Sequence, residues 1–267
     1  WTMRSALDGD RGQENDVELI VQWMDFLDEL GGLQVLNLQI LNESERAAFF
    51  LNLYHVMVIH GALVLFPPQT SSNWQPFFHD VAYLVSFNVI SIAEIEHNIL
   101  RSSMSTMPRL ALGLDRSRVA PRSSFPGLAL THRDFRFHFC MNTGSISMPG
   151  KVCIYNAHTL DAQLDEMTAL AVSSAVQVDA RKRVVTLPIV CSWYPADFVA
   201  RGIPAAPVDC IRALTAYCNN MNREQLSELL LSGRKPHIKY KPFTFKSRLL
   251  TRYSAGDDGD GSGKRIS

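Results

Sequence analysis

No two of the five cysteines stand at CxxC spacing, and Cys140, Cys153, Cys191, Cys210 and Cys218 all sit in apolar contexts. No zinc site can be read from such a set, and an odd number of buried free thiols suits a reducing compartment. Charge of one sign is equally scarce: 26 Lys and Arg balance 26 Asp and Glu. No global field therefore draws the chain to nucleic acid or to an anionic membrane. HExxH, GxSxG, Walker A and GxGxxG motifs are all absent, and no cofactor is predicted. His55 and His60 are five apart, outside the i, i+4 geometry of a helical zinc pair. No secretory signal is visible, so an intracellular, cytoplasmic location is expected. The opening Trp1-Thr2-Met3 reads as a piece of something longer.

What is present is a long apolar helix. Ser44–Phe66 is apolar nearly all the way round, with Asn42 or Ser44 to cap it and Pro67-Pro68 to end it. A membrane span is its rival by length. Asn52, His55 and His60, with polar segments on both sides, favour the buried central helix of a soluble domain. No Gly/Pro-rich linker divides the middle of the chain. A single domain is expected over residues 16–253, between a loose segment 1–15 and a disordered tail 254–267. The predicted class is α+β: a buried central helix, several amphipathic helices and a small, mostly antiparallel sheet.

Helical spacing of Val17, Ile20, Val21, Met24 and Leu27 predicts an amphipathic helix over 16–30. Residues 67–80 read as loop, with Trp74, Phe77 and Phe78 folding back onto the core. A strand or hairpin follows at 81–90, then a short helix at 91–101 opened by the capping pair Ser91/Glu94. Glu96 falls within the apolar stripe Ile92, Ile95 and Ile99, whereas His97 and Arg101 point towards the opposite face. A carboxylate in such a stripe must find a partner. Residues 102–135, with Arg109, Arg116, Arg118 and Arg122, read as a solvated loop.

Alternation over 136–142 predicts a strand running into the small-residue turn 143–150. A helix at 159–176, a hairpin at 176–187, helices at 208–220 and 222–231 (the latter with an Asn222/Gln225 cap), and a strand at 237–245 complete the reading. Residues 1–50 hold ten acids against three Lys/Arg, and residues 234–253 hold seven Lys/Arg and no acid. The basic end is therefore expected to dock beside the N-terminal helix rather than on nucleic acid.

Several blocks, taken together, resemble the DUF547 family, a domain of unknown function. They are Glu45–Tyr54 with Ile59-His60-Gly61; Ser91–Arg101; Arg136–Phe139 followed by Gly144, Ser147 and Pro149; Leu187-Pro188, Trp193-Tyr194 and Asp197-Phe198; and Ile238–Tyr240 with Pro242-Phe243. They fall in consistent order over roughly residues 30–248. The family's two cysteine positions are Thr143 and Met148 here, His55 replaces an asparagine and Gly150 a proline. Were a cysteine nucleophile used in the family, this chain has lost it. The resemblance implies a unit often joined to DEP, glutaredoxin-like or leucine-zipper regions, and it brings no established reaction.

The residues offer two functions. In the first, the domain is a binding or regulatory module of a longer protein. Its partners are other domains of the same chain or separate proteins, with no nucleic acid and no membrane span. In the second, it is a hydrolase or acyl-transfer enzyme. Candidate catalytic groups are His60, Glu96, His97, Thr143, Ser145 and Ser147. Candidate binding residues are Asn52, Arg101, His138, Gly144 and Pro149. Glu96, His97 and His60 are expected in one buried polar cluster beside the 143–149 turn, with His97 its weakest member. Thr143 at the cysteine position favours binding, because an alkoxide needs far more activation than a thiolate.

Overall fold

The computed structural model describes residues 9–105, 121, 124–248 and 250–252. Arg109, Arg116, Arg118 and Arg122 and the tail from residue 253 lie outside the described residues.

Asn42 starts the central helix α2 (Glu43–Leu65). Its side chain accepts the Glu45 N–H, and the Glu45 carboxylate accepts the Asn42 N–H in return. Phe50, Leu51, Tyr54 and Met57 of α2 are fully enclosed in the larger core. By length and composition α2 could cross a bilayer, but half of its most apolar window is buried in protein. Gly61 permits its close approach to the next helix, since a Cβ there would lie 2.9 Å from Val81 and 3.1 Å from Phe77.

That next helix, α3 (Ser71–Asp80), replaces the expected loop. Pro76 stands inside this helix. Burial of Trp74, Phe77 and Phe78 outweighs the one backbone hydrogen bond that Pro76 removes. Strands β1 (Ala82–Val85) and β2 (Asn88–Ser91) form the anticipated hairpin. The Ser91/Glu94 capping box then opens α4 (Ile92–Glu94).

Beyond Glu94 the helix widens into a π-helical turn, Ile95–Leu100, with every residue buried. This overturns the placement of His97 and Arg101 on the face opposite the apolar stripe, since both are buried. A wider turn shifts each side chain relative to ordinary helical spacing.

The expected strand at 136–142 is instead a short helix, α5 (Phe137–Cys140). All four of its residues are buried, so the apolar alternation marks no solvent face. A two-residue strand, β3 (Lys151–Val152), follows, and α6 (Leu160–Ala175) packs across α5. β4 (Gln177–Asp179) and β5 (Val184–Pro188) form the second hairpin, and β6 (His237–Lys241) adds parallel to β5. Helices α7 (Val190–Trp193), α8 (Pro207–Thr215) and α9 (Asn220–Leu231) enclose the smaller core; Asn219, rather than Asn222, caps α9. Across the described residues the fold is α+β, with three small sheets.

Two expectations about the ends fail. The basic end does not dock beside the N-terminal helix: β6 lies on β5, and Phe243 and Phe245 pack on Trp74. Hydrogen bonding and aromatic burial fix this segment more strongly than screened surface charge can. The N-terminal helix α1 (Gly9–Gly32) starts earlier than expected, taking in residues 9–15, and Val17 to Met24 stay exposed.

His55 of α2 sits 3.1 Å from the Asn142 N–H and 3.0 Å from the Cys140 carbonyl. Burial, partly opposed by backbone hydrogen bonds, lowers its pKa to about 4 from the 6.5 of a free histidine. The unfolded chain thus takes up this proton first, and stability is lost as pH falls from 6.5 towards 4. His138, also lowered to about 4, adds to the slope, whereas Glu96, raised by burial, opposes it. His55→Gln keeps an acceptor and removes the titration. Urea unfolding across this window is expected to give the variant a shallower loss, and equal slopes would refute the assignment.

Candidate functional site

Asp197 is the anchor of the site. Its carboxylate, with no solvent exposure, accepts from Arg101 Nη2 at 3.1 Å, His138 Nε2 at 2.8 Å, the Ser105 N–H at 2.6 Å and Arg133 Nη2 at 3.4 Å. Burial alone would raise its pKa. The His138 bond, the charges of His138 and Arg101 and the Ser105 N–H together outweigh that and hold it far below the usual carboxylate range. Arg101 is itself fully buried, with its guanidinium 3.8 Å above the Tyr194 ring. His138 stacks on the same ring, at 4.8 Å between centroids.

The π-helical turn places Glu96 on the other side of Arg101. Its carboxylate lies 3.9 Å from Arg101 Nη1 and 3.7 Å from His97 Nδ1, and Arg101 Nη1 donates to His97 Nδ1 at 3.3 Å. The Tyr54 hydroxyl faces Glu96 from α2. Burial raises the pKa of Glu96, and the charge of Arg101 and the Tyr54 hydroxyl offset this only in part. Two buried carboxyls on either side of one arginine are therefore pushed in opposite directions: Asp197 stays ionised and Glu96 holds its proton more readily.

Glu96 and His138 reach an open cavity of about 840 Å³, mouth included. Thr143, Ser147 and Pro149 line it together with Val190, Trp193 and Phe243, and Lys241 is among its few polar groups. The turn that carries Thr143 is fixed from within. Gly144 adopts φ +79°, where a side chain would be strained, and its N–H donates to Asn142 Oδ1 at 3.0 Å. Ser145 Oγ donates to the Thr244 carbonyl at 2.7 Å, and Ser147 Oγ accepts the Thr244 N–H at 2.8 Å. Thr143 Oγ1 points to Met148 Sδ at 3.6 Å. Cys140 is enclosed in the core, where burial pushes its thiol up to about 12.

Of the residues picked out from sequence, Glu96, His138, Thr143, Ser147 and Pro149 meet at this cavity, with His97 and Arg101 behind Glu96. Ser145 and Gly144 shape the turn. Asn52 lies elsewhere, clamping the Tyr155 backbone through both its amide atoms. His60 does not join the cluster: it is hydrogen-bonded to the Tyr83 hydroxyl and flanked by Trp23 and Phe26. Six residues separate it from Tyr54 on α2, about 240° round the helix, so only one of the two can face Glu96.

Asp197, Tyr194, Tyr54 and Arg133 were not picked out. The sequence marks the first two only as part of a family-like block, WYPADF, an acid set among aromatics that reads equally well as a packed plug. Among the described residues no group of His, Cys, Asp and Glu is arranged to hold a metal ion.

No curated protein and no solved structure matches the chain. Residues 38–170 match the model of the family described as "Protein of unknown function, DUF547". That span supplies Glu96, His97, Arg101, His138 and the 143–149 turn, while Tyr194, Asp197 and Phe243 come from beyond it. The chain thus belongs to the DUF547 family, whose matched segment supplies Arg101 and somewhat less than half of the residues that line the cavity.

Proposed function

We propose that this domain is a binding module, regulatory within a longer intracellular protein, and that its receptor site is the cavity at Glu96. The observation that carries this reading is the state of the three hydroxyls. Thr143, Ser145 and Ser147 are engaged with a thioether or with backbone, and none is hydrogen-bonded to a histidine among the described residues. An activated nucleophile needs a base within reach. His138, the one histidine lining the cavity, is directed to Asp197 instead.

The walls suit an apolar group, and Glu96 selects what that group carries. Burial disfavours the ionised form of Glu96, so a ligand that brings a hydrogen-bond donor or a cation to its carboxylate offsets that cost. An alkyl chain ending in a nitrogen donor fits both requirements.

Octylamine is the simplest probe, followed by the fluorescence of Trp193 in the cavity wall, with Trp193→Phe as the signal control. Glu96→Gln preserves volume and is expected to weaken octylamine about tenfold, the scale of one charge-assisted hydrogen bond. Binding of octanol should change little. Equal octylamine affinity in both proteins, or no binding to either, would count against the proposal.

A further inference from the structure

The N-terminal helix holds to the domain by one side only. Trp23 and Phe26 pack edge-on against His60 of α2. Beside them on the helix run Val17, Ile20, Met24 and Leu27, spaced three, four and three residues apart, the a/d spacing of a helix-pairing seam. These four side chains are 60%, 58%, 59% and 42% exposed. Single exposed apolar residues are ordinary, but a contiguous stripe of them marks an interaction surface.

The stripe is extended by its neighbours. Leu63 and Val64 lie one turn beyond His60 on the same face of α2, and both are exposed. The hairpin tip is held to the turn that follows α1, where the Ser86 and Phe87 N–H groups donate to the carbonyls of Leu33 and Gln34. Phe87, in the two-residue turn of that hairpin, is 77% exposed.

Charge decides what covers this face. Between Val17 and Leu30 the helix carries Glu18, Asp25, Asp28 and Glu29 and no Lys or Arg. An anionic membrane would repel it. A second copy would bring the same four carboxylates to a seam only two heptads long, too short to offset them. The chain's own basic stretch is held elsewhere, on β5 and Trp74. We infer that the α1 stripe, with the adjoining end of α2, is the docking face for an amphipathic helix of a partner protein whose apolar seam is flanked by Lys or Arg.

The test uses the whole chain and two synthetic 21-residue helical peptides, both with Leu at a and d, one with Lys and one with Glu at the flanking positions. Fluorescence anisotropy is expected to show the Lys-flanked peptide binding about tenfold more tightly, the scale of several exposed ion pairs acting together. The preference should fade with added salt. Ile20→Asp/Met24→Asp is expected to abolish binding with an unchanged thermal melt, because both side chains are exposed in the isolated domain. Four results would overturn the inference: binding unaffected by the double variant, no preference between the peptides, a dimer in sedimentation that the double variant dissociates, or flotation with phosphatidylcholine vesicles that the double variant abolishes.

Discussion

Arg101→Ala is expected to destabilise the domain by about 3–5 kcal/mol, the range for removing one partner of a buried ion pair. The loss has three sources. Asp197 keeps only His138, Arg133 and the Ser105 N–H. Glu96 loses its nearest cation. The Tyr194 ring loses the guanidinium above it. Arg101→Lys should recover less than half of the loss, because an ammonium cannot meet Asp197, His97 and the Tyr194 face at once. Urea unfolding at neutral pH measures both. A second readout separates this network from generic packing. The charge of Arg101 helps to hold His138 neutral, so an NMR titration should find its pKa raised in the alanine variant. A destabilisation under about 1 kcal/mol, with His138 unmoved, would show that the arginine does not organise the site.

Phe50→Ala should cost about 3–5 kcal/mol through lost burial and the cavity left behind. Phe50 is fully enclosed in the larger core, with its ring 5.1 Å from that of Phe49. Leu63→Ala on the same helix should change stability by less than about 0.5 kcal/mol, since Leu63 is exposed. The comparison is informative because α2 is apolar at both positions and nothing in its pattern tells them apart. Similar losses for the two, measured by reversible denaturation, would contradict the asymmetric burial of the helix.

The same contrast runs through the site. Glu96 was identifiable from the chain alone, since a carboxylate within an isoleucine stripe must be buried and must be answered. What answers it was not identifiable. Its neighbour His97 was placed outward on ordinary helical spacing, and the π-helical turn carries it inward to Arg101. His60 shares a long apolar helix with Tyr54, yet only Tyr54 faces Glu96, and His60 is taken up by Tyr83, Trp23 and Phe26. The failed strand at 136–142 has the same root: alternation shows a face only when one side meets water, and α5 is buried all round.

By itself, then, the sequence determined those features that depend on neighbours a few residues away. These are the central helix with its Asn42/Glu45 box, the two hairpins, the Ser91/Glu94 start and the burial of Glu96. The ordered motif blocks that mark the family also belong here. Only the tertiary structure decided the site, because its bonds join residues far apart in the chain: 96 positions between Arg101 and Asp197, and 59 between His138 and Asp197. Periodicity reports whether a side chain leaves water. The partner it then meets is set by how the helices and the 194–198 segment pack, and that packing fixes a charge network no local spacing encodes.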